Sequence, residues 1–281
     1  MVVTKLKIEG HSHTELCPHG SGDRLEDMVK KAIQMGFTDY CVTEHAPLPN
    51  CFVAEFGGVE DDWQTASLTY EQVESYFNLV DQVRAKYQDQ IKLHVGFEVD
   101  YVDGFEAEIR QFLDTYGPRT DQNILSVHYL RGADGLIYGV DYSPEELQMG
   151  FTDLEDQPHA FYQRYLRVIK QAISTDLGVY QPQRLGHLTL MRKYQDYFAL
   201  PQDYNEQEWR LIKNILILLK DQGRQLYFNL AGMYKEYCND FYPGTRITKL
   251  AKELGVSMVY GSDAHSIKEV GHGYHLYEAF K

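Results

Sequence analysis

A chain of 281 residues is long enough to bury a full core, and it suits one α/β barrel at least as well as two smaller domains, so one domain over residues 1–281 is expected. Its 27 basic against 41 acidic residues leave a net charge of −14 and a pI near 5.2, a field that repels polyanions and disfavours a nucleic-acid partner except where cations reverse it locally. No run approaches 18 apolar residues, and Met-Val-Val-Thr-Lys-Leu-Lys at the start has no apolar core of signal-peptide length, so no membrane partner and a soluble, cytoplasmic protein are expected.

Apolar, β-branched runs alternate with segments of helical period. In chain order they predict strand 4–9, helix 24–36, strand 38–43, helix 69–88, strand 91–98, helix 103–116 and strand 123–130. Helix 159–177, strand 183–187, helix 205–222, strand 225–230, helix 245–254 and strand 256–261 follow. The first helix gathers Leu25, Met28, Val29, Ala32 and Ile33 on one face. The second gathers Tyr70, Val73, Phe77, Val80 and Tyr87, and both faces suit packing on a sheet. Strands alternating with helices imply parallel βαβ units, closed as a barrel or open and doubly wound. Two long connections, 46–68 and 131–158, carry no helical period; loops of that kind in a compact domain are lids or binding loops. Cys17, Cys41, Cys51 and Cys238 share no CxxC spacing and read as free thiols.

Histidines and acids recur at the ends of these strands. His11-Ser-His13 follows the first, and Glu44-His45, Glu98, His128, His187 and Gly261-Ser-Asp263-Ala-His265 end or follow others. Histidines at i and i+2 on an extended segment point the same way, so both imidazoles can bind one ion. His19 lies in the same loop. A set rich in histidine with carboxylates as bridges suits zinc, manganese or iron rather than calcium or magnesium. Ligands spread over almost every strand end require those ends to converge. A closed α/β barrel with its metal site at the C-terminal mouth of the strands gathers them; an open sheet does not.

The segments His-Ser-His-Thr-Glu-Leu-Cys-Pro-His-Gly at 11–20, Thr-Glu-His at 43–45, Gly-Phe-Glu-Val-Asp at 96–100 and Ser-Val-His-Tyr-Leu at 126–130 carry a resemblance, completed by Gly-His-Leu-Thr-Leu-Met-Arg-Lys-Tyr at 186–194 and Gly-Ser-Asp-Ala-His at 261–265. Together they resemble the PHP superfamily and, within it, the histidinol-phosphate phosphatases of histidine biosynthesis, over residues 5–275. The resemblance implies a distorted (β/α)7 TIM-like barrel holding three divalent metal ions (Zn, Mn or Fe). It implies one ion on His11, His13, Glu98 and Asp263, a second on His19, His45 and His265, and a third on Glu98, His128 and His187, so that Glu98 bridges. Glu44 stands where an aspartate is more frequent. The implied activity is hydrolysis of a small-molecule phosphomonoester, L-histidinol phosphate. Cations clustered on two acids would hold a phosphate dianion despite the acidic chain, and the acidic run Glu60-Asp61-Asp62 would receive the cationic amine and imidazole of the substrate.

The expected catalytic residues are Glu98, Asp263 and His265, the last two for proton handling. Arg192, five residues past His187, and Arg131, three past His128, are candidate forked donors to phosphate, and Asn229 could offer an amide to the substrate. Other residues have plainer readings. His94 shares the parity of Glu98 but reads as a packed histidine; His159 reads as a solvated helix start, and His272 and His275 as structural. Cys17 could ligate as a thiolate, although the imidazole set is complete without it. Two other chemistries fit a barrel of this kind, a nuclease or nucleotide phosphoesterase and an amidohydrolase; His19, Glu98 and His265 are surplus to the latter. A catalytically silent interaction barrel would have shed ligands, and none of the nine is missing.

Overall fold

In the computed structural model the described residues, 6–281, form nine strands and ten α-helices. In order these are β1 (Ile8–Glu9), α1 (Leu25–Gln34), β2 (Asp39–His45), α2 (Phe52–Glu55), α3 (Glu60–Thr65), α4 (Val73–Tyr87), β3 (Lys92–Asp100), α5 (Glu106–Tyr116), β4 (Ile124–Ser126), β5 (Tyr129–Arg131) and β6 (Ile137–Gly139). There follow α6 (Pro144–Gly150), α7 (Pro158–Ser174), β7 (Arg184–Leu185), α8 (Glu206–Asp221), β8 (Gln225–Asn229), α9 (Thr245–Leu254), β9 (Met258–Gly261) and α10 (Tyr274–Phe280).

Seven strands pair in parallel in the order β1-β2-β3-β4-β7-β8-β9. The sheet curls until its edges meet: Gly10 N donates to Tyr260 O at 3.0 Å, His13 N to Ala264 O at 2.9 Å, and Ser12 bridges Ala264 in parallel. The result is the distorted, nearly closed TIM-like barrel that the strand ends required. Its helices bury the predicted faces. Leu25, Met28, Val29 and Ala32 are buried on α1, as are Val73, Phe77, Val80 and Tyr87 on α4. Tyr70 belongs instead to a 3-10 turn, Tyr70–Gln72, that precedes α4. No helix among the described residues is long and apolar enough to cross a membrane.

The structure departs from the sequence reading in three places. The predicted strand 4–9 is seen as Ile8–Glu9, with residues 4 and 5 outside the described part. The predicted strand 123–130 breaks at Val127 and His128: its first half joins the barrel, and its second half, β5, turns away to pair antiparallel with β6. The two long connections are not structureless. Residues 46–68 fold into α2 and α3, and 131–158 into β6 and α6, elements too short to register as a period over the window a sequence pattern needs. Phe52 packs edge-on against Tyr129 at 4.8 Å, fastening the first excursion to the second.

Candidate metal centre

Each candidate ligand comes from a strand end because that is where the barrel opens. His45 and Glu98 are partners in the β2–β3 register and so face the same way. His11 and His13 follow β1, with Ser12 between them turned outward to donate to Cys41 O at 2.9 Å. His128 follows β4, His187 follows β7, and Asp263 and His265 follow β9. Asp263 adopts a positive φ of 59°, a left-handed conformation that non-glycine residues hold only where surroundings impose it.

These side chains converge into three groups whose ligand atoms lie within 4.8 Å of one another: His11, His13, Glu98 and Asp263; Glu98, His128 and His187; and His13, Cys17, His45 and His265. The first two are the expected sets. In the third, Cys17 stands beside His45 and His265 where His19 was expected, while His19 reaches the edge of the group with its Nε2 3.1 Å from that of His265. Glu98 belongs to two groups: Oε2 lies 3.3 Å from His11 and His45, and Oε1 lies 3.1 Å from His187.

The imidazoles are aimed by acceptors behind them. His13 Nδ1 meets Glu44 at 2.9 Å and His128 Nδ1 meets Asp100 at 2.7 Å. His19 Nδ1 donates to Thr65 O at 2.6 Å and His265 Nδ1 to Asp263 O at 2.9 Å. Because carbonyls only accept, both of the last two histidines carry the proton on Nδ1. Their Nε2 lone pairs then face each other at 3.1 Å, an arrangement that a shared cation satisfies. His11 with His13, at 2.9 Å, and His128 with His187, at 3.0 Å, repeat the approach.

Electrostatics agree with the donor chemistry. Burial opposes ionisation of Glu98, yet the imidazoles of His11, His128 and His187 hold its pKa well below the usual carboxylate value. Asp263 behaves likewise through His11, His13 and His265. Burial works against protonation of His13, but Glu44 and Asp263 prevail and push its pKa up to about 10. His45 and His265 are held well below the usual imidazole value by burial and by the neighbouring His13. Buried carboxylates this strongly ionised need compensating cations, and neutral imidazoles are competent ligands. The residues therefore fit divalent metal ions.

A cavity of about 410 Å³ opens over the groups, lined among others by Glu98, His128, Asp263, Lys193 and Lys235. The cations in its lining are Lys193 and Lys235, and neither of the arginines expected as a fork is among its lining residues. Arg192 sits in the 3-10 turn Leu190–Arg192, where successive residues point about 120° apart. Its guanidinium turns to a separate cavity, 3.5 Å from Asp240 Oδ2 and above the Tyr204 ring, while Lys193 takes the mouth. Arg131 is held on the outer side of β5 by Gly135 O and Asp103 O, each at 2.9 Å, and by Glu55 at 2.7 Å. Asn229 is also redirected. Its amide donates to Asp263 Oδ2 at 3.0 Å and its oxygen accepts from Ala231 N at 2.7 Å, so it orients the Asp263 carboxylate.

Two acids stand behind the candidate ligands: Glu44, named in the sequence with no settled role, and Asp100, which was not singled out there. Glu44, fully buried, accepts from His13, Thr14 N, Thr14 Oγ1 and His45 N. Asp100 fixes His128, and its signal was present: it stands at i+2 from Glu98 on the same strand, hence on the same face. Asp141, beside Lys193, has no such signal. His94 pairs with Asp39 at 2.8 Å, and His272 stacks on Tyr234 at 4.2 Å, both away from the three groups. His159 is not merely solvated; it meets the buried Glu208 at 2.9 Å.

With this geometry in place, comparison with known proteins is direct. Residues 9–230 match the PHP domain family and 245–280 a PHP-associated segment. A histidinol-phosphatase of Bacillus subtilis is 38% identical over 277 residues, 98% of each chain. The structure of a Listeria monocytogenes protein assigned as a histidinol phosphatase superposes with a TM-score of 0.92 at 39% identity, covering 96% of this chain and 100% of that one. The histidinol phosphate phosphatase of Lactococcus lactis, solved with zinc, L-histidinol and phosphate, superposes at 0.63 with 21% identity, over 98% and 93% of the two chains, a likeness of fold. The chain belongs to the PHP domain family.

Proposed function

We propose that this protein is a metal-dependent phosphatase that converts L-histidinol phosphate to L-histidinol and phosphate. The observation that carries the reading is Glu98, a buried carboxylate common to two of three ligand groups at one open mouth, joined to membership of the PHP family. The proposal places three divalent ions there, zinc, manganese or iron, and the reaction in the cytoplasm, whose reducing conditions suit four free cysteines.

Divalent ions in such a cluster supply an activated water, neutralise phosphoryl oxygens and stabilise a leaving alkoxide. The chain does the rest. Glu98 and Asp263 provide the negative charge that keeps cations in place, and Glu44, Asp100 and Thr65 O hold the imidazoles in the ligating tautomer. Lys193 and Lys235 add positive charge where the phosphate of the substrate would lie. Asp263 and His265 line the same cavity; in this reading the Asp263 carboxylate would accept and return the proton, since His265 is engaged at Nδ1 by Asp263 O and at Nε2 opposite His19.

Phosphate release from L-histidinol phosphate, p-nitrophenyl phosphate, a nucleoside monophosphate and a short oligonucleotide, at equal metal and salt, tests the assignment. L-Histidinol phosphate should lead p-nitrophenyl phosphate by about a hundredfold in kcat/KM, because remote contacts are expressed as discrimination. Faster turnover of the nucleotide or oligonucleotide would replace the reading with a nuclease.

A further inference from the structure

A second cavity of about 280 Å³ runs on from the metal mouth, sharing His19, His45, His128, Asp141 and Lys193 with it. Beyond those shared residues its wall is acidic and aromatic: Asp62, Asp100, Tyr129 and Tyr142 line it. Three of the four carboxyl groups on or behind this wall are already satisfied. Asp100 is held by His128, Asp141 by Lys193 at 3.0 Å, and Glu146, behind the wall, by the backbone N–H groups of Gly139 at 2.7 Å and Val59 at 2.9 Å.

Asp62 is the exception. It is the one buried residue of α3, 6% exposed, whereas its neighbours Glu60 and Asp61 point to solvent. Tyr129 donates to Oδ1 at 3.2 Å, while Oδ2 faces the Glu146 carboxyl and is the one buried carboxylate oxygen among the described residues that receives no donor. Burial, the Glu146 carboxyl beside it and Asp141 push its pKa up to about 9. Among the described residues no cation pairs with Asp62: held in its protonated form it donates to the Glu146 carboxylate, and only an arriving cation would let it ionise.

We propose that Asp62 is the specificity-determining residue of this enzyme, accepting the cationic nitrogen of the leaving group in the second cavity while the phosphate lies over the metal groups. The inference rests on the phosphatase reading above and names the side chain that selects the substrate. Asp62 would be ionised only when that cation arrives, so a neutral leaving group finds a carboxyl it cannot use. Of the acidic run at 60–62, the fold turns this one residue inward.

Asp62→Asn tests the proposal, because the amide keeps the shape and can still donate to Glu146 but cannot take a charge. Zinc content and p-nitrophenyl phosphate kcat/KM should stay within about threefold of wild type, while kcat/KM for L-histidinol phosphate falls about a hundredfold, as when one partner of a buried charge pair is removed. The 3-(imidazol-4-yl)propyl phosphate that lacks only the amine tells which nitrogen is bound: if the loss spares it, the amine sits on Asp62; if not, the imidazole does. A wild-type preference for L-histidinol phosphate that survives intact in the variant overturns this inference alone. Absence of that preference in wild type overturns the phosphatase reading with it. Should the variant misfold, the wild-type enzyme decides by inhibition: L-histidinol should bind at least about tenfold more tightly than 3-phenylpropan-1-ol, an alcohol of the same length with neither amine nor imidazole, and equal inhibition overturns the proposal.

Discussion

Replacing Glu98 by glutamine removes one charge and leaves the shape of the side chain almost unchanged. That charge lies within 3.8 Å of five imidazoles, those of His11, His13, His45, His128 and His187, and it is 1% exposed. A unit charge and a divalent ion about 4 Å apart attract by about 8 kcal/mol at an effective dielectric near 20. Recovering even half of that from water leaves a loss of roughly 4 kcal/mol, about a thousandfold in affinity, at each of two sites. Glu44→Gln is the control, since Glu44 orients His13 from behind, and losing such support costs roughly ten to a hundredfold. Metal content after dialysis and kcat/KM for L-histidinol phosphate should therefore fall much further in the Glu98 variant. Equal losses, or unchanged metal content in both, would show that Glu98 does not bridge.

Elemental analysis of active protein should find about three ions per chain, since the nine expected ligands exceed what two four-coordinate ions need; one ion or fewer would rule out the trinuclear site. Chelation should abolish activity and lower Tm, with manganese or zinc restoring both. Lys193→Ala should lower kcat/KM by about ten to a hundredfold through lost phosphate and Asp141 contacts, whereas Arg131→Ala, on the outer side of β5, should change it less than about threefold; the reverse order would restore the arginine fork. Asp62 carries a pH signature as well. Its folded pKa, about 9, lies above the ordinary 3.8, so the stability associated with its protonated form is full below about pH 4 and is lost as pH rises toward 9. Metal-loaded Asp62→Asn should accordingly melt higher than wild type by a margin that grows from about pH 6 to about pH 8, where neutral imidazoles still hold the metal, and parallel melting curves across that range would refute the buried, protonated acid.

Much of the site was legible in the chain because its signals are local. The i, i+2 spacing of His11 and His13, acids and histidines at successive strand ends, and alternating periods of two and 3.6 follow from the geometry of single elements. They sufficed for the barrel, and two of the side-chain groups they single out do converge at its mouth. What tertiary structure alone decided depends on rotations and contacts that no period encodes. One step at the end of a 3-10 turn sends Arg192 to a separate cavity and Lys193 into the mouth. The break at His128 peels β5 away and carries Arg131 out of reach, while Cys17 enters a group through the turn of its loop. Asp62 and Asp141 lie in excursions too short for periodicity, and only packing of one excursion against the other turns Asp62 inward while leaving Glu60 and Asp61 in water. Side-chain direction in a regular element follows from the backbone repeat; in a turn or a short helix it follows from what the segment packs against.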